Sequence, residues 1–297
     1  MERRVDAPAR MSEAHGFRRH DAGERRLWVA PAWESAVLTL GLLEPGGCAR
    51  LLTSAAGPSG RSPTAVVTLP DRAACLHLRA VRHGGWLAPL WGERLLGTGR
   101  PLSELRVNAA LRAAGAPVPE PVLVSAERRG GPFWSAAVAT VHEADACDGI
   151  ALLEAGPSPE QAGRALAAAA RSVRAFHDAG GRHLDLHAGN LLFRGHDDCL
   201  VIDLDKARRL ERVDPGSRMT EIMRLYRSLV RRRLLARLGA DPCDRFLSAY
   251  CDGDAPLRAA LLRYLPRERA RLALHRLAWP ASAKRAQRAQ RERSHDR

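Results

Sequence analysis

Lysine is almost missing from this 297-residue chain: of 47 cationic side chains, all but Lys206 and Lys284 are arginine. Aromatic residues are also scarce, at 5%. That removes the stacking platforms on which single-stranded nucleic acid is usually held, and no familiar nucleic-acid recognition motif is present. No nucleic-acid partner is therefore expected. The six cysteines are scattered, with no C-x-x-C pair, so neither a zinc ribbon nor a disulfide scaffold is expected and a reducing cytoplasm fits. The longest apolar stretches, such as Ala36 to Leu43, fall far short of the roughly 20 residues needed to cross a bilayer. No charged start leads into an apolar core and a small-residue cleavage site, so no secretory signal is expected.

What is present describes a globular protein: 45% hydrophobic and 27% charged residues exclude wholesale disorder. The length suits one large domain or two lobes around a cleft. The net charge of +14 has two readings. Abundant arginine and alanine fit the coding bias of a GC-rich genome, and the same charge would attract a polyanion, whether nucleic acid or an anionic membrane surface. Charge alone does not choose between them.

Met1 to Arg26 reads as a polar leader, and Trp28 to Leu43 as a strand or a short helix. The Gly/Pro/Ser-rich run from Pro45 to Pro63 is expected to break any regular element. Thr64–Leu69 and Ala74–Val81 read as strands separated by the turn residues Pro70-Asp71. Arg100 to Ala114 reads as a helix capped by Ser103 and stopped by Gly115. The prolines at 117, 119 and 121 then force an extended connection, with strands following around Val122–Ser125 and Phe133–Val141. The second half is helical in character. Ser158-Pro-Glu-Gln161 is a capping box with proline at the first helical position, and Ala162, Ala165, Leu166, Ala169, Val173 and Phe176 form one apolar stripe behind it. Two short strands, Leu191–Phe193 and Cys199–Ile202, flank a turn. Arg218 to Trp279 reads as helices broken near Gly239, Gly253, Pro266 and Pro280, and Lys284 to Arg297 as a basic tail. The order is α+β: a small β-rich lobe, then a larger helical lobe, with a ligand expected in the cleft between them.

The residues that carry chemistry follow the best-defined helix. His183-Leu-Asp-Leu-His-Ala-Gly-Asn190 is a polar loop, and thirteen residues past Asn190 the apolar strand Val201-Ile-Asp-Leu-Asp205 ends in carboxylates. Magnesium-dependent phosphoryl transfer needs such a set: a carboxylate for the acceptor's proton, and an amide oxygen and a second carboxylate to hold the metal against phosphates. Asp185 would be the base, with Asn190 and Asp203 as metal ligands. Two other readings compete. On a strand, His183, Asp185 and His187 would face one way, as in some metal hydrolases, though no further His/Asp cluster completes such a set. Asp203-x-Asp205 alone could be a glycosyltransferase metal motif or a charged strand end.

This arrangement resembles the protein-kinase-like fold, and within it the lipopolysaccharide kinases, most closely the 3-deoxy-D-manno-octulosonic acid (Kdo) kinases. Further motifs extend the resemblance over roughly residues 55 to 255. They are Leu78-Arg-Ala-Val-Arg-His-Gly-Gly85, Ser103-Glu-Leu-Arg106, Gly115-Ala-Pro-Val-Pro-Glu-Pro121, Val201 through Arg208, and Arg224-Leu-Tyr-Arg-Ser-Leu229. The resemblance implies a bilobal protein-kinase-like fold. Residues 1–45 would form an N-terminal extension, 46–142 an N-lobe for nucleotide phosphates, 143–280 a C-lobe with the catalytic loop and acceptor site, and 281–297 a basic tail. It also implies ATP and Mg2+ as cofactors, and transfer of the γ-phosphate to a hydroxyl of Kdo in the lipid A–Kdo inner core.

With no lysine before Lys206, the phosphate-holding cation of the small lobe must be an arginine; by the resemblance it is Arg79, paired with Glu104. Arginine grips phosphate bidentately, so the exchange is chemically reasonable. Gly60, in Gly57-Pro-Ser-Gly60-Arg-Ser-Pro63, would lie in the loop over the phosphates. That loop departs from G-x-G-x-x-G, and its prolines remove amides that could bind phosphate. His183 is expected to brace the loop through hydrogen bonds, and adenine to meet backbone groups near Ala139-Thr-Val-His142. The anionic glycolipid acceptor implies a cytoplasmic enzyme in peripheral contact with the inner-membrane surface. The alternatives are a kinase acting on another sugar, a small molecule or a protein, and a pseudokinase that binds partners without transfer.

Overall fold

The computed structural model describes residues 16–54, 63–70, 74–82 and 94–274. The first segment opens with a hairpin, β1 (Arg18–Ala22) and β2 (Arg25–Val29), in which Ala22 faces Arg25 across the two-residue turn Gly23-Glu24. Residues 18–26 are thus not a leader. β1 is an edge strand with largely exposed charged side chains, which hides it in the sequence. β2 is anchored by Leu27 and Val29, both fully buried. After one 3-10 turn at Pro31–Trp33, the short helix α1 (Glu34–Leu38) follows, so the stretch from Trp28 is a strand end and a helix in succession. The run after Pro45 does not stay irregular either. It contains α2 (Gly47–Ser54), and Gly47 at its start is required, because a Cβ there would sit 2.1 Å from the Gly41 carbonyl oxygen.

The small lobe is an antiparallel sheet completed by β3 (Thr64–Thr68), β4 (Cys75–Ala80), β5 (Leu95–Leu96), β6 (Pro121–Arg128) and β7 (Phe133–Val141). Its order is β1-β2-β6-β7-β4-β3, with β5 paired to the start of β7. Both faces are covered. Leu27, Val29, Leu76, Leu78, Leu123, Ala137 and Ala139 pack with Trp33 and Val37 on one side. Trp28, Val124, Ala126, Ala136 and Val138 pack on the other against Leu102 and Leu105 of helix α3 (Gly99–Ala113). Successive strand residues point to opposite faces, so the doubly covered β6 is buried without a break from Pro121 to Ala126, with Ser125 its one polar member there. α3 starts one residue before the expected helix, with Thr98 at its N-cap. Ser103 is not the cap: it lies inside the helix, exposed.

The larger lobe begins with β8 (Ala146–Asp148) and α4 (Gly149–Glu154), capped by the Asp148 carboxylate. α5 (Pro159–Asp178) has the reciprocal capping box: the Gln161 N–H donates to Ser158 Oγ at 3.2 Å and the Ser158 N–H to Gln161 Oε1 at 2.8 Å. β10 (Leu191–Arg194) and β11 (Asp198–Val201) form the small hairpin, with β8 beside β10. The two-residue strands β9 (Gly181–Arg182) and β12 (Arg208–Arg209) pair with each other. The helical remainder consists of α6 (Pro215–Arg232), α7 (Pro242–Cys251), α8 (Ala255–Leu262) and a further stretch at 265–274. One core unites them, centred on Val173, Phe176, Met219, Leu247 and Tyr250.

Candidate active site

Strand parity places the first site residue. In β4, Leu76 and Leu78 enter the core of the small lobe, so His77 and Arg79 face the opposite side, toward α3 and the cleft. On α3, Glu104 meets Arg79: Nη2 donates to Oε1 at 2.6 Å, and the same Nη2 lies 3.6 Å from Oδ1 of Asp203 in the other lobe. One guanidinium therefore links the sheet, the helix and the strand end after β11. Burial works against its charge, yet the carboxylates of Glu104 and Asp203 outweigh it and raise the Arg79 pKa above its ordinary value. Burial pushes the Glu104 carboxyl up. Arg79 pulls it down, and Asp205 and Asp203 add to the rise.

The loop from His183 to Asn190 is not a strand. Leu184 has a φ of +63°, which rules out the alternating one-sided arrangement of His183, Asp185 and His187. A non-glycine residue in this region costs on the order of 1–3 kcal/mol and needs its surroundings to hold it. Glu221 of α6 does so, accepting the backbone N–H groups of His183 at 3.0 Å and Leu184 at 2.9 Å. From the other side the His183 ring reaches Ile202 O at 2.9 Å, and its Nδ1 accepts the Asp185 N–H at 3.3 Å, the bracing role expected of it. Ser228, also on α6, accepts the Ala188 N–H at 3.1 Å.

Within this loop the Asn190 amide donates to the Asp185 carbonyl at 3.0 Å, which commits Nδ2 and leaves Oδ1 as the free acceptor. The Asp185 carboxylate accepts from Lys206 Nζ at 3.1 Å. Burial raises its pKa, but Lys206 first, then His187 and Arg224, outweigh that and hold it below the usual carboxylate value. The backbone joins loop and strand, because Ile202 N–H donates to Asn190 O at 3.0 Å. Asp203 then turns out of the strand in the left-handed conformation, φ +60°, with half of its side chain exposed.

Arg79, Glu104, Asp203, Asp148 and Gly189 line one cleft of about 490 Å³, together with His77 and the 140–143 segment. The latter overlaps the Ala139–His142 segment whose backbone is the expected contact for adenine. Asn190 and Asp185 adjoin it through the loop, whereas Gly60 lies outside the described residues. The second carboxylate of the Asp203-x-Asp205 pair has a different task. Asp205 is held by the Arg100 guanidinium through both of its oxygens, one contact measuring 2.7 Å. This pins the start of α3 to the far lobe and engages both carboxylate oxygens of Asp205. Sequence reasoning did not find Arg100, Glu221 or the Lys206–Asp185 pair. Only Lys206 carried a signal: it is one of the chain's two lysines and lies three residues after Asp203.

A β-sheet lobe and a helical lobe, an Arg–Glu pair spanning strand and helix, and an Asp/Asn loop facing an Asp-ended strand define a phosphotransferase of the protein-kinase-like class. The sequence model of the lipopolysaccharide kinase (Kdo/WaaP) family matches residues 65–250, more than half of the chain, and the chain belongs to that family. Among curated relatives, 3-deoxy-D-manno-octulosonic acid kinase of Vibrio parahaemolyticus is 31% identical over 183 residues, spanning 60% of this chain and 73% of that protein. The enzyme of the same name from Stenotrophomonas maltophilia is 30% identical over 184 residues, spanning 60% and 70%. Among solved structures, WaaP in complex with acyl carrier protein superimposes with a TM-score of 0.52 at 20% identity, covering 83% of this chain and 99% of that one. That likeness supports the kinase-like fold. Among the described residues no helix is long and apolar enough to cross a membrane.

Proposed function

We propose that the chain transfers the γ-phosphoryl group of ATP to a hydroxyl of Kdo in the lipid A–Kdo inner core. The observation that carries the kinase reading is the convergence of Glu104, Arg79 and Asp203, with 2.6 Å and 3.6 Å separating them, at the mouth of the cleft beside the Asp185 loop. The named relatives supply the acceptor. Arg79, held in place by Glu104, would neutralise phosphate charge. Asp185, kept ionised by Lys206, would orient the acceptor hydroxyl and take its proton as the new O–P bond forms and ADP departs with the electrons of the broken one. Lys206 would stay beside the reacting oxygens as a positive charge.

Asn190 and Asp203 fit a magnesium ion. Both present hard oxygen donors, the first with its amide nitrogen committed elsewhere and the second half-exposed toward the cleft. When bound, Mg2+ would neutralise charge on the phosphates. The acceptor is an anionic glycolipid, and the net charge of +14 suits peripheral contact with an anionic membrane surface, here the cytoplasmic face of the inner membrane.

The test is transfer from labelled ATP with magnesium to Kdo–lipid A, to lipid A lacking Kdo, and to no acceptor. Label on Kdo–lipid A alone is the expected result. Transfer to neither lipid, with ATP still bound, would move the chain to another acceptor or to a non-catalytic role. A second expectation concerns Arg79→Ala. It should raise the ATP concentration needed for half-maximal rate by about 10- to 100-fold, the loss expected for a charge-assisted phosphate contact, and Arg79→Lys should recover part of it. An unchanged ATP titration would mean that another cation holds the phosphates.

A further inference from the structure

The face of α6 that supports the catalytic loop carries more positive charge than its neighbours neutralise. Glu221 and Ser228 anchor the loop at its two ends, and Arg224 lies between them on the same helical stripe. Its Nη1 is fully buried and has no hydrogen-bond partner among the described residues. Arg227, one turn along, and Arg271 of the 265–274 helix line the same small pocket, about 40 Å³, with Arg224. Among the described residues lining the pocket, one carboxylate, Glu268, stands against these three guanidiniums. It already accepts Arg271 Nη1 and the Thr220 hydroxyl, each at 3.2 Å. Burial, with repulsion from Arg224 and Arg271, lowers the pKa of Arg227. Arg224 and Arg227 both lie close enough to the Asp185 loop to interact with it electrostatically.

A buried guanidinium nitrogen without an acceptor, among like charges, costs free energy that a bound anion would recover. The pocket has room for a small oxyanion but not for a whole sugar. We propose that the Arg224–Arg227–Arg271 pocket binds an oxyanion of the acceptor, a carboxylate or a phosphate, and so places the acceptor's hydroxyl at Asp185. The assignment rests on the kinase reading above for its acceptor, though not for its anion. Arginine suits the task because its planar fork meets carboxylate or phosphate through two parallel hydrogen bonds. Arg227 is the residue to test, because among the described residues it makes no hydrogen bond or ion pair that a substitution would strand, whereas Arg224 sits on the helical stripe between the two loop anchors.

The experiment is calorimetric titration of the full chain with its nucleotide cleft filled by a non-hydrolysable ATP analogue and magnesium, so that the γ-phosphate position is taken. The probes are Kdo, Kdo methyl ester and inorganic phosphate, on wild type, Arg227→Gln and Arg227→Lys. Wild type should bind Kdo or phosphate. Arg227→Gln should weaken that binding about tenfold or more, Arg227→Lys should restore part of it, and affinity for the nucleotide should not change. Weaker binding of the ester than of Kdo identifies a carboxylate site, and binding of phosphate alone identifies a site for a lipid phosphate. No oxyanion binding in wild type, or equal binding in Arg227→Gln, overturns the proposal. Arg227-dependent binding in a protein that phosphorylates no Kdo acceptor would leave this site standing and remove the Kdo reading instead.

Discussion

Asp185→Asn is expected to lower kcat by about 10²- to 10⁴-fold, the range a positioned general base contributes, while the dissociation constant for ATP changes little. The substitution keeps the shape of the side chain and leaves untouched the backbone carbonyl on which Asn190 relies. What it removes is the negative charge that Lys206 stabilises and that would receive the acceptor's proton. Stability should scarcely move, because both members of the pair are half exposed and exposed ion pairs contribute at most about 1 kcal/mol. Rapid-quench measurement of transfer, alongside equilibrium ATP binding and a melting curve, separates these quantities. A variant with wild-type kcat would remove Asp185 from the proposed mechanism. A variant that no longer binds ATP would show that the loop had collapsed.

Glu221→Gln should damage the protein from behind the loop and act on stability and turnover together. The Glu221 carboxylate is buried and accepts three N–H groups: those of His183 and Leu184, and His177 Nε2 at 3.2 Å. Burial raises its pKa, but His177 and the two backbone donors prevail and hold it below its ordinary value. His177, fully buried, has its pKa lowered chiefly by burial, against the pull of Glu221. With its Nε2–H directed at Glu221, the ring's Nδ1 accepts from the Tyr250 hydroxyl at 2.7 Å, and Arg218 donates to that hydroxyl at 3.2 Å. A glutamine would turn an NH2 group toward donors, leaving buried groups unpaired at a cost of about 3 kcal/mol. For a chain of this size a loss of several °C in Tm is expected, at roughly 2 °C per kcal/mol, and kcat should fall because Leu184 loses the contact that holds its positive φ. A variant that melts with wild type would show that the network carries no stability.

The same network sets a pH dependence. Both folded-state pKa values are depressed, so in each case the unfolded chain binds protons more readily and stability rises with pH. The contribution of His177 is complete above its unfolded value of 6.5 and declines as pH falls below it. That of Glu221 is complete above 4.5 and is lost as pH falls through its lower folded value. Thermal melts should therefore show Tm falling in acid, beginning below about pH 6.5 as His177 starts to bind protons in the unfolded chain. A Tm that rose between pH 6.5 and 5 would contradict a neutral His177.

Much of the architecture was legible because its signals are local. The capping box at Ser158, the prolines at 117, 119 and 121, and the alternation in β4 act over a few residues, and each element formed where its own chemistry places it. The spacing of Asp185, Asn190 and Asp203 was readable for the same reason, since one loop and one short hairpin carry all three. Elements whose stability comes from distant partners were misread. The charged β1 and the first two residues of β2 read as a leader because β1 gains its place only by pairing with β2, which in turn pairs with β6. α2 looked like a broken loop because its helix rests on contacts with β3 and β4 rather than on propensity.

The amino-acid sequence by itself determined the residue types at the site and their order along the chain, including the arginine at position 79 where lysine was not available. Tertiary structure decided which of the many charged groups meet. Arg79 and Glu104 lie 25 residues apart, Lys206 and Asp185 are separated by 21, Glu221 and Leu184 by 37, and Arg100 and Asp205 by 105. A chain with 47 cations and 33 anions admits very many such pairs, and no local propensity selects among them. Sheet pairing and the burial of the apolar cores hold the backbone in place, and the charged groups brought within reach by it are the ones that pair.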